Sequence, residues 1–501
     1  MTLLASAAAV VSGLAGIPAA HAASTTLTYG VIGDLTSWEA SAAQAGNLAP
    51  FYQAVYDSVL EPTSAGGVAP GIATTWRYDS TKTILTLNIR LGLKFSNGDK
   101  LDPAAVAVNL NAFPIGSSPD AGNASSISSV TTSGSHVVIK LKAPDPAFLN
   151  YLARDIAYIQ DPSQLGTKAA KTSPIGSGPY VLVPGKSTPG SLYTFAKNPN
   201  YWNQSAIQFP NLIIKVVADN TAAVNALRTH AVDILNIADK SSVPSLEGSG
   251  IAFAEQQLDW SGLSLVDLSG KMGTPLKDVR VRQAINYAFD RNLMLKVVGN
   301  GFGVVTHQVF PTYSAGYDPD LENSYPYDLA KAKSLMAQAG YANGFTLQMP
   351  ELTAYTGNAP PQAMADALAA INIKVVYTDL AFPDFFPQLL QPKYPAFWMQ
   401  LERSANDWQF LNFLISPNAA WNPSHYTDAT SSKLISQIQT ASAARAPGLL
   451  KQLNDYISQQ AWYVPFYAVQ AEVGYNPQTV KIVNQPGNAV PYLLQDVSPA
   501  A

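Results

Sequence analysis

The sequence predicts an α/β protein built as more than one lobe, and three observations carry that expectation. The chain has 501 residues, well beyond what one hydrophobic core organises, so two or three lobes are expected. Half-buried strands recur along it; residues 84–90 (ILTLNIR) alternate apolar and polar as such a strand should. Strands also alternate with amphipathic helices, as at residues 360–371 and 373–377, which is the pattern of an α/β lobe.

Composition narrows the class. Apolar residues make up 47% and charged residues 13%, which suits a well-buried chain with a mild surface. The net charge is −4 and the 30 basic residues form no run, so neither nucleic acid nor an anionic membrane is an implied partner. The chain contains no cysteine, which fits a compartment where thiols are oxidised. Residues 1–22 read as a secretory signal: residues 3–17 are an Ala-rich apolar core, and Ala20-His21-Ala22 gives the small-x-small cleavage pattern before Ala23. A basic n-region is missing, a departure from the usual signal. The competing reading, a buried N-terminal helix, is opposed by Gly13, Gly16 and Pro18. No other segment approaches about 20 apolar residues, so the mature chain is expected to be soluble.

In order, residues 27–33 predict a first strand, with Asp34-Leu35-Thr36-Ser37-Trp38 as the loop leaving it. Residues 47–60 predict a helix carrying Phe51, Tyr52, Val55 and Val59. Asn97-Gly98 marks a tight turn, after which Asp102 caps a helix with Pro103 in its first position, where a missing N–H costs nothing. Residues 136–142 predict another strand. Residues 180–183 and 192–196 predict a hairpin, residues 212–219 a strand, and residues 221–229 a helix. Residues 263–268 predict a strand that crosses between lobes. Asp278 then caps a helix whose stripe is Val281, Ala284, Ile285, Ala288 and Phe289. Arg280, Arg282, Gln283 and Asn286 lie off that stripe and are expected to face solvent or a neighbouring lobe. Asp328 caps a further helix that Gly340 ends in a left-handed turn, and a strand begins at Phe345. Helices at about 431–441 and 447–460 precede Trp462-Tyr463-Val464-Pro465-Phe466-Tyr467.

An enzyme is the main competing class, and its usual signatures are missing. There is no G-x-S-x-G. Gly185-Lys186-Ser187-Thr188 resembles the tail of a phosphate loop, but Tyr180 stands where the first glycine belongs and Pro184 and Pro189 make it a hairpin turn. Gly299-Asn300-Gly301-Phe302-Gly303 follows a helix instead of a strand. His21, His136, His230, His307 and His425 show no metal-binding spacing, so neither a metal nor a cofactor is expected.

Several motifs together identify a family. Residues 273–291 (GTPLKDVRVRQAINYAFDR) closely resemble the D-x-R-V-R-Q-A-hydrophobic-N-Y-A-hydrophobic-D-R segment of the family 5 extracellular solute-binding proteins, the peptide- and nickel-binding receptors of ABC importers. Residues 92–110 (GLKFSNGDKLDPAAVAVNL), Pro174-Ile175-Gly176-Ser177-Gly178-Pro179-Tyr180, Lys197-Asn198-Pro199-Asn200-Tyr201-Trp202 and residues 327–341 are similar to further segments of that family. The resemblance implies a two-lobed periplasmic-binding-protein fold (type II, cluster C) with an additional small inserted domain. It also implies no catalysis, a ligand enclosed by hinge closure, and delivery to an ABC permease at the membrane. The expected boundaries are residues 1–22 signal, 23–60 with about 185–268 and 480–501 lobe I, about 61–184 the insertion, and about 269–479 lobe II. With no cysteine for a lipid anchor, a free periplasmic monomer is expected.

Ligand identity falls on residues 398–414 (WMQLERSANDWQFLNFL). Trp398, Trp408, Trp421 and Tyr426, interleaved with Glu402 (outside the residues described below), Arg403, Asn406 and Asp407, make either an apolar cleft with a few orienting polar groups or a loop packed on the lobe. Peptide receptors of the family carry an Asp here for the α-ammonium. One alignment puts Arg403 at that place; the other, which resembles glutathione-binding members, keeps Asp407 there and leaves Arg403 to pair with a ligand carboxylate. The candidate ligand-binding set is Ser37, Trp38, Trp398, Arg403, Asp407, Trp408 and Tyr467, for a peptide or small amino-compound ligand; nickel and haem binders of the family are the alternatives.

Overall fold

A computed structural model of the chain describes residues 25–44, 46–63, 66–118, 120–237, 240–353, 358–380, 382–401, 403–404, 406–483 and 492–500; the expected signal at 1–22 lies outside them. Two lobes share one long mixed sheet. In lobe I the first strand, Thr26–Val31, runs parallel to Asn211–Val216, with Leu27 beside Leu212 and Tyr29 beside Ile214. The hairpin Tyr180–Leu182 and Leu192–Lys197 extends one side of it, and Ile234–Ile237 the other. The pseudo-phosphate-loop stretch therefore is the turn of a hairpin.

Two strands cross from lobe to lobe. The outgoing strand, Ala252–Leu265, has 14 residues, longer than the crossing expected at 263–268, and the return strand, Tyr463–Tyr475, is antiparallel to it. Their lobe I halves pair from Ala252 with Tyr475 to Gln257 with Gln470, and Ile234–Ile237 adds to the return strand there. Their lobe II halves pair from Trp260 with Ala468 to Ser264 with Tyr463, flanked by Ala396–Gln400 and Gly303–Val305. The register shifts between the halves, at Gln257/Trp260, and again at the start of the lobe II half, at Ser261/Gly262. Pro465, opposite Gly262, has no N–H to give the ladder. Gly262 is required by crowding, since a Cβ there would lie 2.2 Å from the Val464 carbonyl oxygen.

The small domain is a four-stranded antiparallel sheet, Ala73–Tyr78, Ile84–Ile89, His136–Leu141 and Ile127–Ser133, covered by the helix Pro103–Ala112. Asp102 caps that helix, accepting from the Ala104 and Ala105 amides at 3.0 and 3.2 Å. Its buried side chains form one continuous apolar cluster with those of lobe II, whereas most of lobe I has a separate core around Tyr29, Phe51, Phe195 and Ile214. The helix expected at 47–60 is shorter, Ala49–Val55: Gly178 N–H takes the Val55 carbonyl, and Val59 and Leu60 turn to bond Ala157 and Leu152. Gly176 and Gly178 serve close approach there. A Cβ on Gly176 would sit 1.9 Å from the Val55 oxygen.

In lobe II, Asp278 caps Val279–Ala288 by accepting from the Arg280 amide at 2.9 Å, and Val281, Ile285 and Phe289 are fully buried. Arg282 and Asn286 do not face outward as expected. Both are buried in this lobe: Arg282 donates to the carbonyls of Leu276 (2.7 Å), Lys277 (3.1 Å) and Gln460 (2.8 Å), and Asn286 to that of Tyr463 (3.0 Å). A guanidinium can be buried where it closes several chain ends that would otherwise lack donors. Asp328 and Gly340 (φ +85°) bound Leu329–Gln338 as expected. A parallel strand pair, Phe345–Glu351 and Ile373–Asp379, lies either side of the helix Ala359–Ala369 in the chain. No helix among the described residues is long and apolar enough to cross a membrane.

Candidate functional site

The crossing strands put unusual residues where the lobes meet. Asp259 stands between Leu258 and Trp260 in the outgoing strand, at the first register shift, and is fully buried. Burial pushes its carboxyl up to about 7, against the pull of hydrogen bonds from Tyr313 and Ser404 and the charge of Arg403. Tyr313 Oη donates to Asp259 Oδ1, and Ser404 Oγ donates to Oδ2 at 3.1 Å. Two residues earlier, Gln257 accepts from Thr312 Oγ1 on its amide oxygen (2.7 Å) and from Arg403 Nη1 on its carbonyl (3.1 Å). Two lobe II loops, at 312–315 and 403–404, thus grip the strand as it leaves lobe I.

Arg403 is half-buried, with its guanidinium carbon 3.6 Å from the centre of the Tyr313 ring. No carboxylate among the described residues comes within ion-pair distance of it. Asp407 opens the short helix Asp407–Phe410, which Asn406 caps through Gln409 N–H at 2.9 Å. Its two oxygens accept from Ser314 Oγ and from Ala315 N–H (3.2 Å), and burial raises its carboxyl above the ordinary value. The fold thus uses both oxygens of Asp407 to clasp the 314–316 loop.

The next residues meet the small domain. Asn406 Nδ2 donates to Asn150 Oδ1 at 2.7 Å, and the buried Trp408 indole lies beside the Asp145 carboxyl. Gln439 Nε2 reaches the Pro144 carbonyl at 2.9 Å. Residues 144–150 therefore rest on lobe II.

Trp398, half-buried, and Tyr467 stand on strands of the crossing sheet. Trp398 Nε1 donates to Ser261 Oγ at 3.1 Å, and the fully buried Tyr467 accepts at its hydroxyl from Gln400 Nε2 at 3.0 Å. Trp421 and Tyr426 pack into the lobe II core, against Phe397 and Phe413 and against Trp462. Trp398, Arg403, Asp407, Trp408 and Tyr467 thus belong to one region around the crossing. Ser37 and Trp38 stand apart from it: Trp38 lies edge-on to Phe51, Tyr193 and Phe195 in the lobe I core, and Ser37 bonds Glu39 and Tyr52. Gln257, Asp259 and Tyr313 join this candidate region without having been singled out in the sequence. The signal for Asp259 was an acid amid apolar neighbours in a strand; for Tyr313 there was none.

Among the described residues no group of three or more His, Cys, Asp and Glu is placed to hold a metal ion.

Residues 67–430 match the sequence model of the bacterial extracellular solute-binding proteins, family 5. The chain is 28% identical over 316 residues to the glutathione-binding protein GsiB of Pectobacterium atrosepticum, which covers 60% of this chain and 59% of that one. It is 26% identical over 363 residues to heme-binding protein A of Haemophilus influenzae, covering 64% and 63%. The chain thus spans about six-tenths of the length of these two curated relatives. The periplasmic binding protein DppA of Helicobacter pylori, solved with the peptide STSA, superposes with a TM-score of 0.80 at 21% identity over 95% of this chain and 98% of that one, which shows the fold.

Proposed function

The chain belongs to the bacterial extracellular solute-binding proteins, family 5, and from that premise we propose that it is the receptor of an ABC import system for a peptide or peptide-like solute. The observation that carries this reading is the double register shift in the two crossing strands, with Arg403, Tyr313 and Asp259 gathered at it. Broken ladders at a lobe junction supply a hinge, and a ligand held beside it favours the closed form by touching both lobes. The closed receptor then hands its ligand to a membrane permease. On this reading the protein is a monomer, works in the periplasm after loss of residues 1–22, and turns over no substrate. Similarity to a glutathione-binding protein and to a peptide complex supports the peptide class, and similarity to a heme-binding protein makes haem the control.

A thermal-shift screen of di- and tripeptides, glutathione, nickel and haem tests it. A true ligand at 100 times its Kd adds about 2.7 kcal/mol of stability. Stabilisation by a peptide or glutathione is expected; a shift with haem or nickel alone discards the peptide class, and chemical conversion of the bound compound discards the receptor reading.

A further inference from the structure

Asn406 joins lobe II to the small domain, and its amide is used at both ends. Oδ1 accepts from Gln409 N–H at 2.9 Å, which caps the helix Asp407–Phe410, so Nδ2 has to point away from that helix. It donates to Asn150 Oδ1 at 2.7 Å, on the small-domain helix Phe148–Tyr151. Asn150 in turn donates from Nδ2 to the Gly66 carbonyl at 3.1 Å, in the turn between Leu60–Pro62 and Val68–Pro70. Turning either amide over would break two hydrogen bonds, so the relay has one orientation.

The small domain follows lobe I. It lies in the chain between the lobe I strands Thr26–Val31 and Tyr180–Leu182, and Ser118 N–H donates to the Ser41 carbonyl at 3.1 Å. The buried Gln160, whose N–H bonds Asn109 of the helix Pro103–Ala112 at 3.1 Å, accepts Ala40 N–H at 2.9 Å. A hinge in the crossing strands therefore parts the small domain from lobe II as it opens. Apolar contact joins those two bodies as well, but such contact has no direction. The Asn406–Asn150 bond, with Gln439 Nε2 on the Pro144 carbonyl at 2.9 Å, gives it one.

We propose that Asn406 and Asn150 form a latch that holds the closed receptor from the small-domain side and slows release of the ligand. This deepens the receptor reading and rests on it. Neither side chain needs to touch the ligand: the bond exists only where the two bodies meet, so it adds its full worth to the closed form and nothing to the open one. A neutral hydrogen bond of this kind is worth a factor of about five in the closed-to-open ratio. Asn406 is thus a positioning residue, which sets where the start of the helix Asp407–Phe410 seats against the small domain.

The chain has no cysteine, so spin labels on Thr132→Cys and Ala337→Cys, at exposed positions in the small domain and lobe II, report the distance across the molecule. N406D keeps the helix cap, since a carboxylate accepts Gln409 N–H, and removes only the donor to Asn150. N150D keeps the acceptor and loses the bond to Gly66. N406D is expected to lower the closed-to-open ratio about fivefold without ligand and to speed glutathione release by about the same factor, with association unchanged. N150D is expected to hold the latch as tightly as wild type or more so, because its acceptor now carries charge. Thermal melts confirm that the variants fold. Distances and release in N406D within about twofold of wild type overturn the latch, as does an N150D that loosens as much as N406D. A wild type with no closed population, with or without glutathione, overturns it too. If nothing in the thermal-shift screen binds, the receptor reading falls, while the ligand-free distances still decide the latch.

Discussion

The guanidinium of Arg403 lies 3.6 Å from the centre of the Tyr313 ring, and the hydroxyl of that ring donates to the buried Asp259 carboxyl. One aromatic residue thus connects a cation of lobe II to an acid on the strand that crosses between lobes. Tyr313→Phe keeps the ring under Arg403 and removes only the donor, so it is expected to cost about 1–3 kcal/mol in urea unfolding with little loss of ligand affinity. Tyr313→Ala also removes the cation–π platform and is expected to weaken binding by about fivefold or more. Equal stability of Tyr313→Phe and wild type shows that the hydroxyl does not hold the strand.

Asp259 gives the fold a pH dependence of defined sign. Its carboxyl rises from 3.8 to about 7 on folding, so the folded state holds a proton that the unfolded chain has released. Its contribution is fully present below about pH 4 and is lost as pH rises through about 7. Asp259→Asn is therefore expected to flatten stability across that window, with Asp57, also raised to about 7, leaving a residual slope of the same sign. His307 acts in the opposite direction: burial lowers it to about 3 while its ring nitrogen accepts from Tyr325 N–H, so its contribution is lost as pH falls below about 6.5. Unfolding midpoints at intervals between pH 4 and 8 measure the difference, and parallel curves for Asp259→Asn and wild type contradict it.

Asp407 is expected to behave as a loop clasp. Replacing it by Ala frees Ser314 and the Ala315 amide, costing about 1–3 kcal/mol. Binding of a free-amine peptide relative to its N-acetyl form is expected to change little by calorimetry. A selective loss of the free-amine peptide instead returns Asp407 to the ammonium.

Arg282 is expected to be costly to remove despite lying far from the site. Arg282→Met fills similar space but leaves the carbonyls of Leu276, Lys277 and Gln460 without their donor, for a loss of about 3 kcal/mol. An exposed neighbour, Arg280, makes its ion pair at the surface with Asp278, and Arg280→Met is expected to cost under about 1 kcal/mol. Similar losses for the two would mean that burial does not separate them.

Gly176→Ala forces a methyl to within 1.9 Å of the Val55 oxygen, where helix Ala49–Val55 ends. Relief requires moving backbone, so a loss of about 3 kcal/mol is expected, with ligand affinity per folded molecule unchanged. Thermal unfolding and calorimetry on the same sample separate the two effects.

The sequence by itself determined the elements whose causes lie within a few residues. Asp102, Asp278 and Asp328 cap the helices they were expected to cap, Gly340 takes its left-handed turn, and Val281, Ile285 and Phe289 are core. The motif strings also identified the family, because they preserve tight local geometry, as Gly176 does against Val55. Only the tertiary structure decided which polar groups are spent and which stay available. Arg282 turned inward because carbonyls up to 178 residues away lacked donors. Asp407 was claimed by a loop 93 residues earlier, and Arg403 was drawn to a carbonyl 146 residues back. Helical and strand periodicity describe which face a side chain takes on its own element; they carry no information on what stands opposite. The site is made of such opposites, brought together by two strands that cross between lobes.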